Sequence, residues 1–203
     1  MEPTHFISTN TLSLKELDHI LHGHSKIALT DDSRQRIIKC RDYLDQKIQF
    51  SSAPIYGINT GFGSLYNKHI AKNQLEQLQE NLVMSHACGT GPEVPREIVL
   101  LMLFLKVQSL AYGHSGVQVE TVERLIEMFN QRVLPCVYEM GSLGASGDLA
   151  PLAHMSLPLI GMGDVHYLGK VYSSKEVLKL LGWERIHFKA KEGLALLNGT
   201  QFM

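Results

Sequence analysis

Cysteine is scarce in this sequence. The three present, Cys40, Cys88 and Cys136, stand far apart and form no Cys-x-x-Cys pair, which argues against a disulfide framework and against a zinc site built from clustered thiols. Reduced thiols in a cytoplasm are therefore the expectation. Long apolar runs are missing too. The longest, Ile98 to Leu105, is closed off by Arg96-Glu97 and Lys106 and is far too short to cross a bilayer, so it is expected to be a buried helix and no membrane partner is expected. The opening MEPTHFISTN lacks a basic segment followed by an apolar core, so no secretory signal is visible. Neither sign of charge is in surplus: 19 Lys and Arg against 20 Asp and Glu leave a net charge of -1. That balance removes the basic surface a nucleic-acid partner would need. Internal repeats, low-complexity tracts and heptads do not occur.

What is present is an ordinary globular composition, 44% hydrophobic and 19% charged over 203 residues, long enough for one large or two small domains with an ample core. Ser13-Leu-Lys-Glu16 has the form of a capping box, and Leu14, Leu17, Ile20 and Leu21 then share a helical face as far as Gly23. Ile27 to Thr30 suits a short strand. A second helix opening at Asp31 or Asp32 carries Ile37, Ile38, Leu44 and Ile48 inward until Ser51-Ser-Ala-Pro54 ends it. A third, from Asn73, sets Leu75, Leu78, Leu82 and His86 on one stripe before Cys88-Gly89 breaks it. Pro95 to Tyr112 is the most apolar helix. It is followed by one whose inward set is Val122, Leu125, Ile126 and Phe129. Val165 to Tyr172 reads as a hairpin about Leu168-Gly169, and Ser173 with Glu176 forms a second capping box for a helix stopped by Gly182. The fold class expected is mainly α with a few short strands.

Gly141-Ser-Leu-Gly-Ala145-Ser146-Gly147-Asp148-Leu-Ala-Pro151-Leu-Ala-His154 runs from small residues straight into a helical start. As packing, it is a turn before an N-capped helix, with Asp148 as the cap and a kink or stop at Pro158. As chemistry, Ala145, Ser146 and Gly147 barely obstruct the backbone, and the Gly147 nitrogen can reach the Ala145 carbonyl. Ring closure with loss of water, then loss of the Ser146 hydroxyl as a second water, leaves an exocyclic methylene on an imidazolone. A hydrolase elbow, G-x-S-x-G, would need glycine where this chain has Asp148. The other glycine-rich stretch, Gly57 to Gly63, follows a strand-like lead-in at Ile55 but matches neither G-x-G-x-x-G nor a Walker Gly-Lys-Ser/Thr, so no nucleotide is expected there.

The string ASGDLAPLAH, preceded by GSLG, closely resembles the signature of the aromatic amino acid ammonia-lyases and aminomutases. These enzymes form 4-methylidene-imidazol-5-one, MIO, from such a tripeptide. Ile55-Tyr56-Gly57-Ile-Asn59-Thr-Gly61-Phe-Gly63, Ser85-His86-Ala-Cys-Gly89-Thr-Gly91 and Glu192-Gly-Leu-Ala-Leu-Leu-Asn198-Gly-Thr200 look like further landmarks of that family in the expected order. The resemblance implies the fumarase/aspartase-like helical ammonia-lyase fold, MIO formed from Ala145, Ser146 and Gly147, and no metal or nucleotide. It implies Tyr56 as base, Asn198 beside the ring and His86 against the substrate side chain. A base with the ordinary phenol pKa of about 10 would need positive potential or hydrogen bonding to its phenolate; without the family, Tyr56 is an aromatic packing residue and Asn198 a turn residue.

Within the family the pattern looks most like the histidine-directed members, which eliminate ammonia from L-histidine to give trans-urocanate. A tyrosine or phenylalanine ammonia-lyase or an aminomutase is the alternative, and a non-catalytic helical interaction protein a further one. The apolar residues up to Met203 lead to the expectation that residues 1–203 are the N-terminal, MIO-bearing part of a longer chain, a homotetramer when full length and not fully active alone.

Overall fold

A computed structural model describes residues 3–23, 25–50, 53–61, 66, 70–143 and 147–203. Strand β1 (Thr4–Ile7) pairs in parallel with β2 (Lys26–Leu29), the crossover between them being helix α1 (Leu14–His22). The Ser13 hydroxyl accepts from the Glu16 amide and the Glu16 carboxylate accepts from the Ser13 amide, so the capping box forms as the sequence indicates. Helix α2 (Asp31–Phe50) follows, then, after a short 3-10 turn, α3 (Leu75–His86).

The core lies where α4 (Arg96–Ala111) packs on α5 (Val119–Asn130). Val99, Met102, Leu103, Phe104, Val107 and Leu110 of α4 are buried, which leaves no amphipathic face because neighbours cover the helix on most sides. Val122, Leu125, Ile126 and Phe129 of α5 point inward as expected, and the Phe104 and Phe129 rings meet at 6.1 Å between centroids, tilted by 52°. At the end of α5 the Asn130 side chain accepts from the Ile27 amide at 2.8 Å and donates to the Ile27 carbonyl at 2.9 Å. This pins the parallel strands to the core.

Two small antiparallel sheets complete the frame. Strand β3 (Thr90–Glu93) pairs with β5 (Tyr138–Met140), while β4 (Leu134–Pro135) pairs with β6 (Asp164–Tyr167), which pairs with β7 (Lys170–Ser173). Between them runs α6 (Leu149–Ser156). Pro158, lacking the N–H that would reach the His154 carbonyl, converts its continuation into a 3-10 turn at Leu157–Ile160, and Gly161 closes that turn in the left-handed region. Helix α7 (Ser174–Leu181) starts at the second capping box and stops at left-handed Gly182. Helix α8 (Glu192–Leu197), which periodicity over so few residues does not reveal, packs on both α3 and α6.

The architecture is thus mainly helical with short strands, and no helix of the described residues is long and apolar enough to cross a membrane. The lead-in at Ile55 departs from its strand-like reading. Residues 56–59 form a turn, in which the Ile58 and Asn59 amides both donate to the Ile55 carbonyl. The Asn59 side chain closes it, accepting from the Ile55 amide at 2.6 Å and donating to the Ala53 carbonyl at 3.0 Å.

Because the Ser173 hydroxyl is the side-chain acceptor at the start of α7, Ser173→Ala should lower the stability of the chain by ~1 kcal/mol in urea unfolding, with an unchanged m-value.

Candidate active site

The start of α6 is held from the side opposite its own chain. Gly147 has φ 106, and a Cβ added there would lie 2.4 Å from the Gly199 carbonyl oxygen, so only glycine fits between the two strands of backbone. The next amide, that of Asp148, donates to the same Gly199 carbonyl at 2.8 Å. Gly147 therefore sits against the residue that follows Asn198. Ala145 and Ser146, its partners in the expected ring, lie outside the described residues.

Asp148 does not cap the helix. Its side chain makes no capping hydrogen bond to α6. Instead Oδ1 accepts from the Ser142 hydroxyl at 3.1 Å, and Oδ2 accepts from the amides of Phe202 and Met203, each at 3.1 Å. Only 2% exposed, this carboxylate spends its lone pairs on chain segments either side of the tripeptide rather than on its own helix. The start of α6 therefore gets no cap from the Asp148 side chain.

The His86 and Gly141 stretches also meet. His86 is the last residue of α3 and is half-buried, with Nδ1 2.8 Å from the Leu82 carbonyl oxygen. That bond makes Nδ1 the donor and leaves Nε2 with the lone pair in the neutral ring. Just beyond, the Gly89 amide donates to His154 Nε2 at 3.0 Å, and a Cβ on Gly141 would come within 2.9 Å of the Gly89 Cα. Burial lowers the His154 pKa, favouring the neutral ring that can accept this bond. Tyr138 of β5 meets the same ring edge-on at 5.0 Å.

Asn198 is exposed at the end of α8. Its carbonyl, however, accepts at 2.9 Å from Nζ of Lys106, which also reaches the Ala195 carbonyl at 3.3 Å. Lys106 was expected to mark the boundary of an apolar run; it is instead 0% exposed, inside α4. Desolvation pulls its pKa down to about 7, and the two N–H bonds of a neutral amine suffice for the two carbonyls it meets. Sequence reading missed this residue, and the signal available was a lone charge flanked by Leu105 and Val107 in the most apolar helix.

Glu192, at the other end of α8, is equally buried. It accepts from the Thr121 hydroxyl at 2.7 Å and from the amides of Gln118 and Lys189 at 3.0 and 2.8 Å, and burial raises its pKa.

The Tyr56 stretch joins less directly. Ile58 packs with Leu44, Leu75 and Ala190 in a second apolar cluster, and Arg41 of α2 donates to the carbonyls of Ala190 and Gly116 at 2.9 and 2.7 Å. Ala190 leads into α8, so this stretch is tied to the same helix as Asn198. Tyr56 itself is 56% exposed on its turn. The fold thus gathers Gly147 and the backbone of Asn198-Gly199 directly, joins the stretch that follows His86 to the Gly141 stretch at Gly89, and leaves Tyr56 at the surface.

Two outcomes follow from these contacts. Asp148→Ala removes the acceptor for the Phe202 and Met203 amides, so both should exchange with deuterium faster by at least tenfold in amide hydrogen-exchange measurements. For Lys106, the unfolded chain holds the extra proton between about 7 and the ordinary value of 10.5, so stability should rise with pH across that window; Lys106→Met should flatten the rise in denaturant titrations at pH 7 and pH 10.

The description "Aromatic amino acid lyase" belongs to the family model that matches residues 12–203. The histidine ammonia-lyase of Deinococcus radiodurans is 48% identical over 192 residues, covering 95% of this chain and 36% of that protein. Among solved structures, histidine ammonia-lyase from Trypanosoma cruzi superposes with a TM-score of 0.88 at 37% identity, covering 98% of this chain and 38% of that one. Tyrosine aminomutase from Streptomyces globisporus superposes with a TM-score of 0.90 at 32% identity, covering 100% and 37% respectively. The chain spans little more than a third of the length of these relatives. Its match to the family model over nearly its whole length, and its agreement in fold with solved members, mean that the chain belongs to the aromatic amino acid lyase family.

Proposed function

We propose that this chain is the electrophile-bearing part of a histidine ammonia-lyase, which eliminates ammonia from L-histidine to give trans-urocanate. The observation that carries the reading is the glycine cradle: Gly147 at φ 106 lies against Gly199 with no room for a Cβ, next to a helix start that the Asp148 side chain does not cap. A flat ring closed from Ala145, Ser146 and Gly147 fits such a place, since it needs a glycine at its third position and gains from positive potential at its oxygen. MIO supplies an electrophilic carbon, which no ordinary side chain offers.

The chain's own residues do the rest of what this part contributes. Asp148 clamps the segments that flank the tripeptide through Ser142, Phe202 and Met203, which holds the loop in one geometry for cyclisation and turnover. Lys106 fixes the carbonyl of Asn198 and so the direction in which its amide side chain leaves the backbone, toward ring or substrate. His86 presents Nε2, whose lone pair accepts an N–H from a substrate imidazole; the same nitrogen suits a phenol and gives a phenyl ring nothing to bond. Tyr56 is the proposed base for the β-proton, with general-base help worth ~10²–10⁴-fold. Its exposure here fits a site completed by further chain and by partner copies in a homotetramer. A cytoplasmic setting suits three free thiols.

An aminomutase shares the electrophile and the fold, and the names of the sequence relatives favour the lyase. The test is direct. The complete protein should weigh less than its sequence by the mass of two waters, and urocanate absorbance should grow on adding L-histidine, with no coumarate from L-tyrosine. Ser146→Ala should restore the unmodified mass and abolish turnover. An unmodified mass in an active enzyme would overturn the reading.

A further inference from the structure

Away from that site, the two small sheets meet at three side chains whose types are those of a metal centre. Glu93 ends β3, Cys136 lies between β4 and β5, and His166 stands on β6. We propose that Glu93, Cys136 and His166 form a binding site for a thiophilic divalent cation of the zinc class. Each offers one ligand atom, and these atoms lie within 4.8 Å of one another. Bonds of ~2.0–2.3 Å to nitrogen, oxygen and sulfur place tetrahedral ligands ~3.5 Å apart, so small side-chain rotations close the set around one ion and leave a fourth position to water.

The backbone already fixes the three positions. The Cys136 amide donates to the Asp164 carbonyl at 2.9 Å, the Val94 amide donates to the Val137 carbonyl at 2.8 Å, and Leu134 pairs with His166 across the sheet. The electrostatics favour a cation. Glu93 and Asp164 both act on the buried Cys136, with Arg96 the opposing charge, and burial together with those carboxylates pushes the thiol up to about 12. A thiol held protonated this firmly is no nucleophile, yet the same negative surroundings attract a divalent ion, which replaces the proton. One S–H bond breaks, one S–metal bond forms, and one proton leaves to solvent without any change of oxidation state.

His166 Nε2 lies 2.6 Å from the Glu93 carboxylate, while its buried Nδ1 has no hydrogen-bond partner among the described residues, so no second bond there competes for the ring. Glu93 is exposed and gives the ion a way in. The other group with ligand chemistry, Glu76, Glu80 and His187, has no thiol, and Arg185 already lies 3.9 and 3.5 Å from its two carboxylates.

Cobalt(II) reports thiolate ligation by a charge-transfer band in the near ultraviolet. With Cys40 and Cys88 replaced by serine, leaving Cys136 as the thiol, cobalt(II) should produce this band, and one equivalent of zinc should abolish it. Zinc binding by calorimetry in buffers of different ionisation enthalpy should show proton release. Glu93→Gln and His166→Gln should each weaken zinc binding at least tenfold with the helical circular dichroism unchanged, and Cys136→Ser should remove the band. The absence of a band, its persistence in Cys136→Ser, or binding that is lost with His187→Gln instead would overturn the proposal. Should Cys136→Ser fail to fold, the Glu93 and His166 variants decide.

Discussion

The approach of Gly147 to Gly199 is the contact on which the rest of the candidate site depends. Two backbones far apart in sequence come so close that neither the Gly147 Cβ nor any larger group can stand between them, and the Asp148 amide then bonds across the gap. Such an approach survives only if both partners are held from behind. On one side α6 is packed against α3 and α8. On the other, Lys106 reaches from the central helix to the carbonyls at the end of α8, so the position of Asn198 and Gly199 is set by the core itself.

The buried ionisable groups share a logic. Lys106, Asp148, Glu192 and Arg41 are each almost wholly removed from water, and each is matched to backbone groups. Backbone partners suit this purpose, because a carbonyl or amide at a helix end needs a bond and a buried ionisable group needs several. The result ties irregular segments to helices without long apolar side chains. Removing either partner strands the other in a dry interior, which is why such contacts concentrate where loop geometry has to be kept.

The chain belongs to the aromatic amino acid lyase family, and in it buried polar side chains brace irregular backbone. Asp148 illustrates how far local rules reach. Its position before α6 satisfies the sequence rule for a cap, but the amides of Phe202 and Met203 and the Ser142 hydroxyl claim its oxygens, and the helix goes without that cap. Tyr56 shows the converse: its motif is legible at once, whereas the fold leaves its side chain 56% exposed on a turn.

By itself the sequence determined the mainly helical class, the two capping boxes, the inward face of α5, the stop at Pro158, and the motifs that name the family, whereas on α1 only Ile20 of the expected face is buried and Leu14 stands 86% exposed. All of these rest on periods, caps and backbone chemistry within a few residues of one another. The β6–β7 hairpin was legible as well, but the short strands β3, β4 and β5, helix α8, the burial of Lys106 and the meeting of Glu93, Cys136 and His166 were decided only by the tertiary structure. Each depends on partners tens of residues away. A lysine after an apolar run looks like its boundary until two helix-end carbonyls are folded onto it, and widely spaced cysteines carry no spacing signal for ligands that arrive from different strands.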